Sequence, residues 1–357
     1  MPRKTIDSLR HRIDRIDDQI LRLLERRAEA ARAIGRVKAA DGSVVYVPSR
    51  EKRIIERLTR ARKELPAPVV RAVFREVISA CRALERGIRV SYLGPEATYS
   101  HMAAREKFGA GAIFVPAASI PMVFEDVERG RADFGLVPIE NSTDGVVTFT
   151  LDRFLESDLR IAAEVCLDVN HCLLARGDDP KRIRRVLSHP QGLAQCRRWI
   201  GTHLPEATLH ETASTARAAE EAGKSRDTAA IASRMAAEVY GLAVLAENIQ
   251  DLTFNATRFV VIGDEDSSRP SGDDKTSAVF SVRDEVGILH DMLQPFAKHR
   301  INLTRIESRP LKGKPWEYVF FIDFLGHRKE RRVSRALQSL ERRCQMLKVL
   351  GSYPVWR

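Results

Sequence analysis

The chain has 357 residues, 44% of them apolar, with a formal charge of +11 and a sequence pI near 9.6. That length exceeds one ordinary core and predicts two or three domains. Its five scattered cysteines include no CxxC pair, which argues against a zinc or disulfide scaffold and for a reducing compartment. No apolar run is long enough to span a bilayer, and the start, MPRKTIDSLRHR, lacks a signal-peptide core. A cytosolic protein with no membrane partner is expected. The positive charge invites nucleic acid or acidic small molecules. Basic and acidic residues alternate through the first 86 positions as on solvated helices, so no nucleic-acid partner is expected.

Apolar residues at Leu9, Ile13, Ile16, Ile20, Leu23, Ala30, Ile34 and Val37 follow a 4-3-4-3 spacing, which predicts one long helix packing along a seam. The missing member of that stripe is Arg27. A buried guanidinium is costly unless an anion meets it; the competing explanation is an internal ion pair or a stem reaching outward. Lys38 shares nearly the same azimuth about 16 Å further along, so two cations could close on one ligand. Arg10 points about 100° away and would serve a partner's pocket. The looser stretch ADGSVVYVPSRE leads to a second helix opening at Arg50 and Glu51, which Pro66 and Pro68 end. A third helix turns Val70, Val73, Phe74, Val77, Ile78, Cys81 and Leu84 inward, with Glu85 on its flank. The first helix is too long for the other two to cover, so a dimer is expected.

The pattern LRHRIDRIDDQILRLLERR…GRVK…REK…FREVISACRALE, over residues 5 to 86, resembles the all-helical chorismate mutase domain. The resemblance implies substrate-binding cations at Arg10, Arg27, Lys38 and Arg50, a substrate-hydroxyl contact at Glu51, and Arg10 crossing a dimer. An aspartate common in that family is Val47 here, and Glu85 stands where some members have glutamine. Chorismate rearranges to prephenate without proton transfer, so fixed cations that hold the folded dianion suffice. Glu85 would help only as a protonated acid, so mutase activity is expected to fade as pH rises and to persist at alkaline pH in Glu85→Gln.

From residue 88 the pattern changes to short apolar runs: IRVSYL, ADFGLVPI, RRVLS and TAAIAS each lead to a helix, and LAVLAENI leads into the stretch from Asn248 to Gly263. Such alternation predicts an α/β sheet with ligands beyond the strand ends. Thr98, Ser100, Asn141, Ser142, Thr143 and Ser188 fall there, each also a good helix cap; together they suit carboxylates. The central stretch is NIQDLTFNATRFVVIG, in which Asn255, Thr257 and Arg258 run into the buried strand Phe259-Val-Val-Ile. A strand-entry turn with a surface charge is the plainer explanation of Thr257 and Arg258. Gly109-Ala110-Gly111 is no dinucleotide fingerprint, and His171-Cys172 is not metal-ligand spacing; neither cofactor nor metal is expected.

YLGPEATYS, VPIENSTDG, SHPQGLAQC and NATRF resemble, in order, the motifs of the prephenate dehydratase domain. The resemblance implies two lobes, about 89 to 165 with 248 to 265 and the segment between, and a cleft joining them. It implies Thr257 as the key threonine, Arg258 and Phe259 completing its motif, and contacts at Thr98, Glu140, Asn141, Ser188 and Gln195. Ala97 replaces the usual glycine of the first motif. Aromatisation drives loss of CO2 and hydroxide from prephenate, so Thr257 need only donate to the leaving oxygen.

The polar linker DEDSSRPSGDDKT marks a hinge. Beyond it a βαββαβ order predicts a ferredoxin-like sandwich, which resembles the ACT domain. Glu307-Ser308-Arg309-Pro310 matches its phenylalanine motif, and Gly287-Ile288-Leu289 replaces the usual Gly-Ala-Leu. The resemblance implies effector contacts at Gly287, Leu289, Asn302, Leu303, Glu307, Ser308 and Arg309.

The expected architecture is multidomain: all-α mutase helices at 1–88, a two-lobed, periplasmic-binding-protein-like α/β dehydratase domain at 89–265, and an α+β ACT domain at 276–357. The expected function is chorismate to prephenate to phenylpyruvate, inhibited by phenylalanine, in a homodimer or dimer of dimers. Two alternatives stay open: a non-enzymatic ligand-sensing regulator, and a dehydratase whose helices only dimerise.

Overall fold

Nothing interrupts the first helix: its 36 residues hold no proline and one glycine. The computed structural model describes residues 6–41, 46–267, 269–283, 285–310 and 318–356. Residues 42–45 of the loose stretch, Ser268 of the linker, and Trp316 and Glu317 at the start of a predicted strand lie outside the described residues.

The chain divides into two units: Met1–Ile88 with Phe108–Ile113, and Arg89–Lys107 with Phe114–Arg357. The first holds α1 (Ile6–Asp41), α2 (Pro48–Ala61) and α3 (Ala67–Glu85). Pro48 opens α2 two residues before the expected start, because proline is preorganised for a first turn and its missing N–H is not needed there. On α1, Ala31 is buried and Arg27, Ala28, Gly35 and Lys38 are half-buried. A Cβ on Gly35 would lie 2.9 Å from the Glu85 Cα, so glycine there lets α1 lie against the end of α3.

The expected seam of α1 is not covered within one chain. Ile13, Ile16, Ile20, Leu23, Ile34 and Val37 are all exposed, Val37 by 65%. Val73 and Leu84, predicted to face inward, are exposed too. Arg27 stands where the stripe gives way to the face packed on α3. A contiguous apolar stripe of this length is characteristic of an interaction surface.

The second unit contains three sheets, two in the two-lobed α/β part and one in the ferredoxin-like part. Its elements are β1 (Arg89–Leu93), α4 (Tyr99–Phe108), β2 (Ile113–Ala117), α5 (Ile120–Glu128), β3 (Phe134–Asn141), β4 (Gly145–Val146), α6 (Thr148–Glu156), β5 (Arg160–Asp168), β6 (Cys172–Ala175), β7 (Arg185–Ser188), α7 (Pro190–Gln195), α8 (Arg197–His203), β8 (Thr208–Glu211), α9 (Thr215–Ala222), β9 (Thr228–Ala232), α10 (Arg234–Tyr240), β10 (Ala243–Ala246), β11 (Ala256–Gly263), β12 (Asp274–Val282), α11 (Ile288–Lys298), β13 (Leu303–Pro310), β14 (Tyr318–Leu325), α12 (Arg331–Glu341) and β15 (Met346–Pro354). The first sheet runs β2-β1-β3-β11-β5, with β4 on β3; the second runs β10-β6-β9-β7-β8. Strand β11 leaves the second lobe, returns to the first and lies antiparallel between β3 and β5.

The third sheet, β13-β14-β12-β15, is antiparallel throughout, the ferredoxin-like order. One face packs on α11 and α12 through Phe280, Phe296, Phe324 and Leu340. The other shares a core with the first sheet, where Val279, Phe321 and Tyr353 meet Phe124, Phe154 and Val260. No helix among the described residues is long and apolar enough to cross a membrane.

Candidate functional site

In the helical unit, Arg27 donates from Nη1 to the Val77 carbonyl at 3.3 Å, and no carboxylate of the described residues pairs with it. Lys38 forms an ion pair of 3.0 Å with Glu85, so Glu85 is engaged by a cation and does not stand as a lone acid. Glu51 pairs with Arg82, which also donates to the Phe108 carbonyl. Arg82 is 5% exposed and lies over the rings of Tyr46 and Phe108, 5.1 and 5.5 Å from their centroids. Sequence reasoning missed Arg82, because its position on α3 marks it as helix surface and only the packed structure sets Glu51 against it. Arg50 is exposed, and Arg10, 73% exposed, pairs among the described residues with Asp7 on its own helix. One chain therefore brings Arg27, Lys38, Glu51 and Glu85 to packed positions and leaves Arg10 and Arg50 outward.

In the second unit, alternation along paired strands sorts the candidates. Thr257 lies opposite Asn141, and Arg258 opposite Glu140; successive residues of a strand face opposite sides. On the side of Thr257 the Asn141 amide donates to the Thr257 hydroxyl at 2.8 Å and to Asn255 Oδ1 at 3.0 Å. Its orientation follows from the backbone. Asn141 Oδ1 accepts the N–H groups of Thr143 and Asp144 at 2.9 and 3.0 Å, and those groups only donate, so the other end is the amide nitrogen. Thr257 Oγ1 is thus an acceptor from Asn141, and its own proton is left to donate elsewhere.

The network continues into the second lobe. Asn255 donates to Gln195 Oε1 at 2.9 Å, and Gln195 donates to Thr143 Oγ1 and the Asp144 carboxylate at 3.1 and 2.9 Å. Gln195 Oε1 also lies 2.8 Å from His171 Nε2. Burial lowers the His171 pKa, against the opposing influence of its bond to Gln195. Asn255, Thr143 and Asp144 were visible as polar turn residues; His171, between β5 and β6, carried no signal that would separate it from a core histidine.

Five other candidates do not face this network. The Ser188 hydroxyl, fully buried, donates to the Ile231 carbonyl at 2.7 Å. Thr98 Oγ1 donates to the carbonyls of Leu93 and Pro95 and accepts the His101 N–H, holding the turn that opens α4. Phe259 is 1% exposed and serves packing within β11. Arg258, expected at an anion site, instead turns to the third sheet: it donates to Glu164 at 2.8 Å, Asp323 at 2.6 Å and Tyr353 at 2.9 Å. Burial opposes its charge, yet Tyr353, Asp323 and Glu164 outweigh that and raise its pKa. Burial likewise works against the Asp323 carboxylate, and Arg258 and Arg305 hold its pKa below the usual value. Glu140 faces the same way and pairs with Arg305 at 3.4 Å.

On the third sheet, Gly287 caps α11 in a left-handed conformation, φ 83°, and Leu289 is partly exposed. Asn302 and Ser308 are exposed on one side of β13, with Leu303, Glu307 and Arg309 half-buried on the other. Arg309 is tied to Asp152 of α6 at 3.0 Å, so its guanidinium links the third sheet to the first lobe. Among the described residues no group of three or more His, Cys, Asp or Glu is arranged to hold a metal ion.

Known proteins resemble each of these parts. The family model for chorismate mutase type II matches residues 9–86, that for prephenate dehydratase residues 90–267, and that for the ACT domain residues 276–342. A bifunctional chorismate mutase/prephenate dehydratase of Aquifex aeolicus is 48% identical over 98% of both chains. A solved prephenate dehydratase of Arthrobacter aurescens in complex with L-Phe superposes with a TM-score of 0.70 at 36% identity, covering 75% of this chain and 90% of its own. A solved structure described as GqqA, a quorum quenching acylase, gives 0.69 at 30% identity over 75% of this chain and 98% of that one. Matched along almost its whole length, the chain belongs to the bifunctional chorismate mutase/prephenate dehydratases.

Proposed function

We propose that the chain rearranges chorismate to prephenate on its helices, converts prephenate to phenylpyruvate in the two-lobed cleft, and is inhibited by phenylalanine through the third sheet. Domain limits of 1–88, 89–265 and 276–357 accompany this reading. The observation that carries it is the Asn141–Thr257 pair, which leaves a threonine proton free beside a cleft of oriented amides. Hydroxide leaving from prephenate accepts that proton's hydrogen bond as its charge develops, and the new aromatic ring drives CO2 away. Asn141 and Gln195 belong to this site; Glu140 and Arg258 support the strands behind it.

On the helices, Arg27 and Lys38 hold the two carboxylates of chorismate, with Arg50, Glu51 and Glu85 at its hydroxyl and ether side. Lys38 then exchanges Glu85 for a substrate carboxylate. The uncovered stripe of α1 supports a homodimer in which Arg10 completes the partner's pocket. Gly287, Leu289, Asn302, Leu303, Glu307 and Ser308 hold the effector, with the phenylalanine-bound relative as support. Scattered thiols accord with a cytosolic location.

Incubating the purified chain with chorismate and following phenylpyruvate tests the whole reading. Prephenate that accumulates and stops there would leave only the mutase, and an inert mixture would return the protein to a ligand-sensing role. The acylase relative covers 75% of this chain, whereas the bifunctional relative covers 98% of it.

A further inference from the structure

The amide network fixes more than Thr257. Because Asn141 is oriented by two backbone N–H groups, its nitrogen faces Asn255, so the Asn255 atom there is the oxygen. The Asn255 nitrogen therefore faces Gln195, and the Gln195 atom it meets is in turn the oxygen. The opposite end of Gln195, 2.9 Å from the Asp144 carboxylate, must then be nitrogen, because an ionised carboxylate only accepts. Two independent anchors agree on one orientation. The Gln195 oxygen lies 2.8 Å from His171 Nε2, so that ring nitrogen must carry a proton.

A neutral imidazole protonated at Nε2 leaves Nδ1 as a lone pair. The Tyr99 hydroxyl, which donates its one proton to the Asn170 carbonyl at 2.7 Å, lies 3.1 Å from that nitrogen, and its ring meets the imidazole edge-on at 5.6 Å. The backbone of His171 is fixed as well: its N–H donates to the Gln250 side chain at 3.0 Å and its carbonyl accepts the Ile249 N–H at 3.0 Å. The ring is 2% exposed. A solvated histidine has no reason to be held at both nitrogens and both backbone groups; this one is placed to present a single N–H to a single oxygen.

We propose, resting on the dehydratase reading above, that His171 is a positioning residue of the dehydratase: its Nε2–H orients Gln195, which holds the lobes together through Thr143 and Asp144 and supports the Asn255–Asn141–Thr257 line. His171 acts through Gln195. Reversing the Gln195 amide would set its oxygen against Asp144 and its nitrogen against that of Asn255, so loss of the histidine donor loosens the whole line. Protonation of the ring keeps Nε2–H in place: Nδ1–H then donates to the Tyr99 oxygen, whose own O–H already donates to the Asn170 carbonyl 2.7 Å away.

Two variants of the full-length chain test this, assayed on prephenate with mutase turnover as the internal control. His171→Leu removes the donor and is expected to lower dehydratase kcat by about ten- to a hundredfold, with KM changed far less and mutase turnover unaltered. His171→Gln returns an amide N–H near the position of Nε2 and is expected to recover most of that loss. Nitrogen-15 NMR of the wild-type ring at neutral pH is expected to show a proton on Nε2 and a bare Nδ1. Equal kcat for the leucine and glutamine variants, or the opposite tautomer, overturns the proposal. A wild-type chain that turns over no prephenate would instead refute the dehydratase reading itself, so the two failures are told apart.

Discussion

The helical site is built from whole charges and the cleft from dipoles. Lys38 leans on Glu85 and Glu51 on Arg82, so under the proposed reading part of the helical site exchanges partners when a dianion enters. In the cleft no such exchange is needed. Asn141, Asn255 and Gln195 are oriented by backbone N–H groups and by one another, and Thr257 Oγ1 accepts from Asn141. Preorganised dipoles require no rearrangement at the moment of reaction, whereas exposed or half-buried charges respond to salt and to competing ions. The two reactions match this division: one folds a dianion, the other helps a single oxygen depart.

The comparison breaks most readily at Arg258, which is bound to Glu164, Asp323 and Tyr353. Arg258→Leu leaves Glu164 and Asp323 buried without their cation and is expected to destabilise the second unit by about 3–5 kcal/mol, read as a lower melting temperature. An unshifted melting curve would mean that the arginine is free for substrate after all. Next comes Thr257→Ala, expected to cost about 10²–10³ in dehydratase kcat, as loss of one oriented donor does, while mutase turnover persists. Equal loss of both activities would join what the structure separates.

Raising ionic strength sharpens the contrast more gently. Chorismate KM should rise with salt well below 1 M, because charge pairs near solvent are screened, while prephenate kcat stays level. Acid separates the regions too. The folded Asp323 pKa lies below its unfolded value, so its contribution is present above the ordinary carboxylate range, about 3.9, and is lost as pH falls through the folded value. For His171 the folded pKa is also lowered, so the unfolded chain takes up its proton first and stability declines as pH falls below about 6.5. His171→Gln should flatten that part of the stability curve. The smallest effect is expected at Ala97, which occupies a left-handed conformation, φ 64°, while almost fully buried. Ala97→Gly relieves the backbone but removes a packed methyl, each about 1 kcal/mol, so melting should shift by only a few degrees.

Local patterns in the chain determined a good deal. The long first helix, the strands at Tyr92, Leu136, Leu187, Ile231 and Val260, and the βαββαβ order of the last part all follow from periodicities set by neighbours in sequence. Motif likeness pointed to Asn141, Gln195 and Thr257, and the structure brings these three into one network. Only the tertiary structure decided what lies on each side of a strand. Alternation dictates that Thr257 and Arg258 face opposite ways, but not that Asp323 and Tyr353, 65 and 95 residues later, wait for the arginine. It likewise set His171 against Gln195, 24 residues on, and Glu51 against Arg82. A side chain's direction is a local property of the backbone, whereas its partner is chosen by packing among segments distant in the chain.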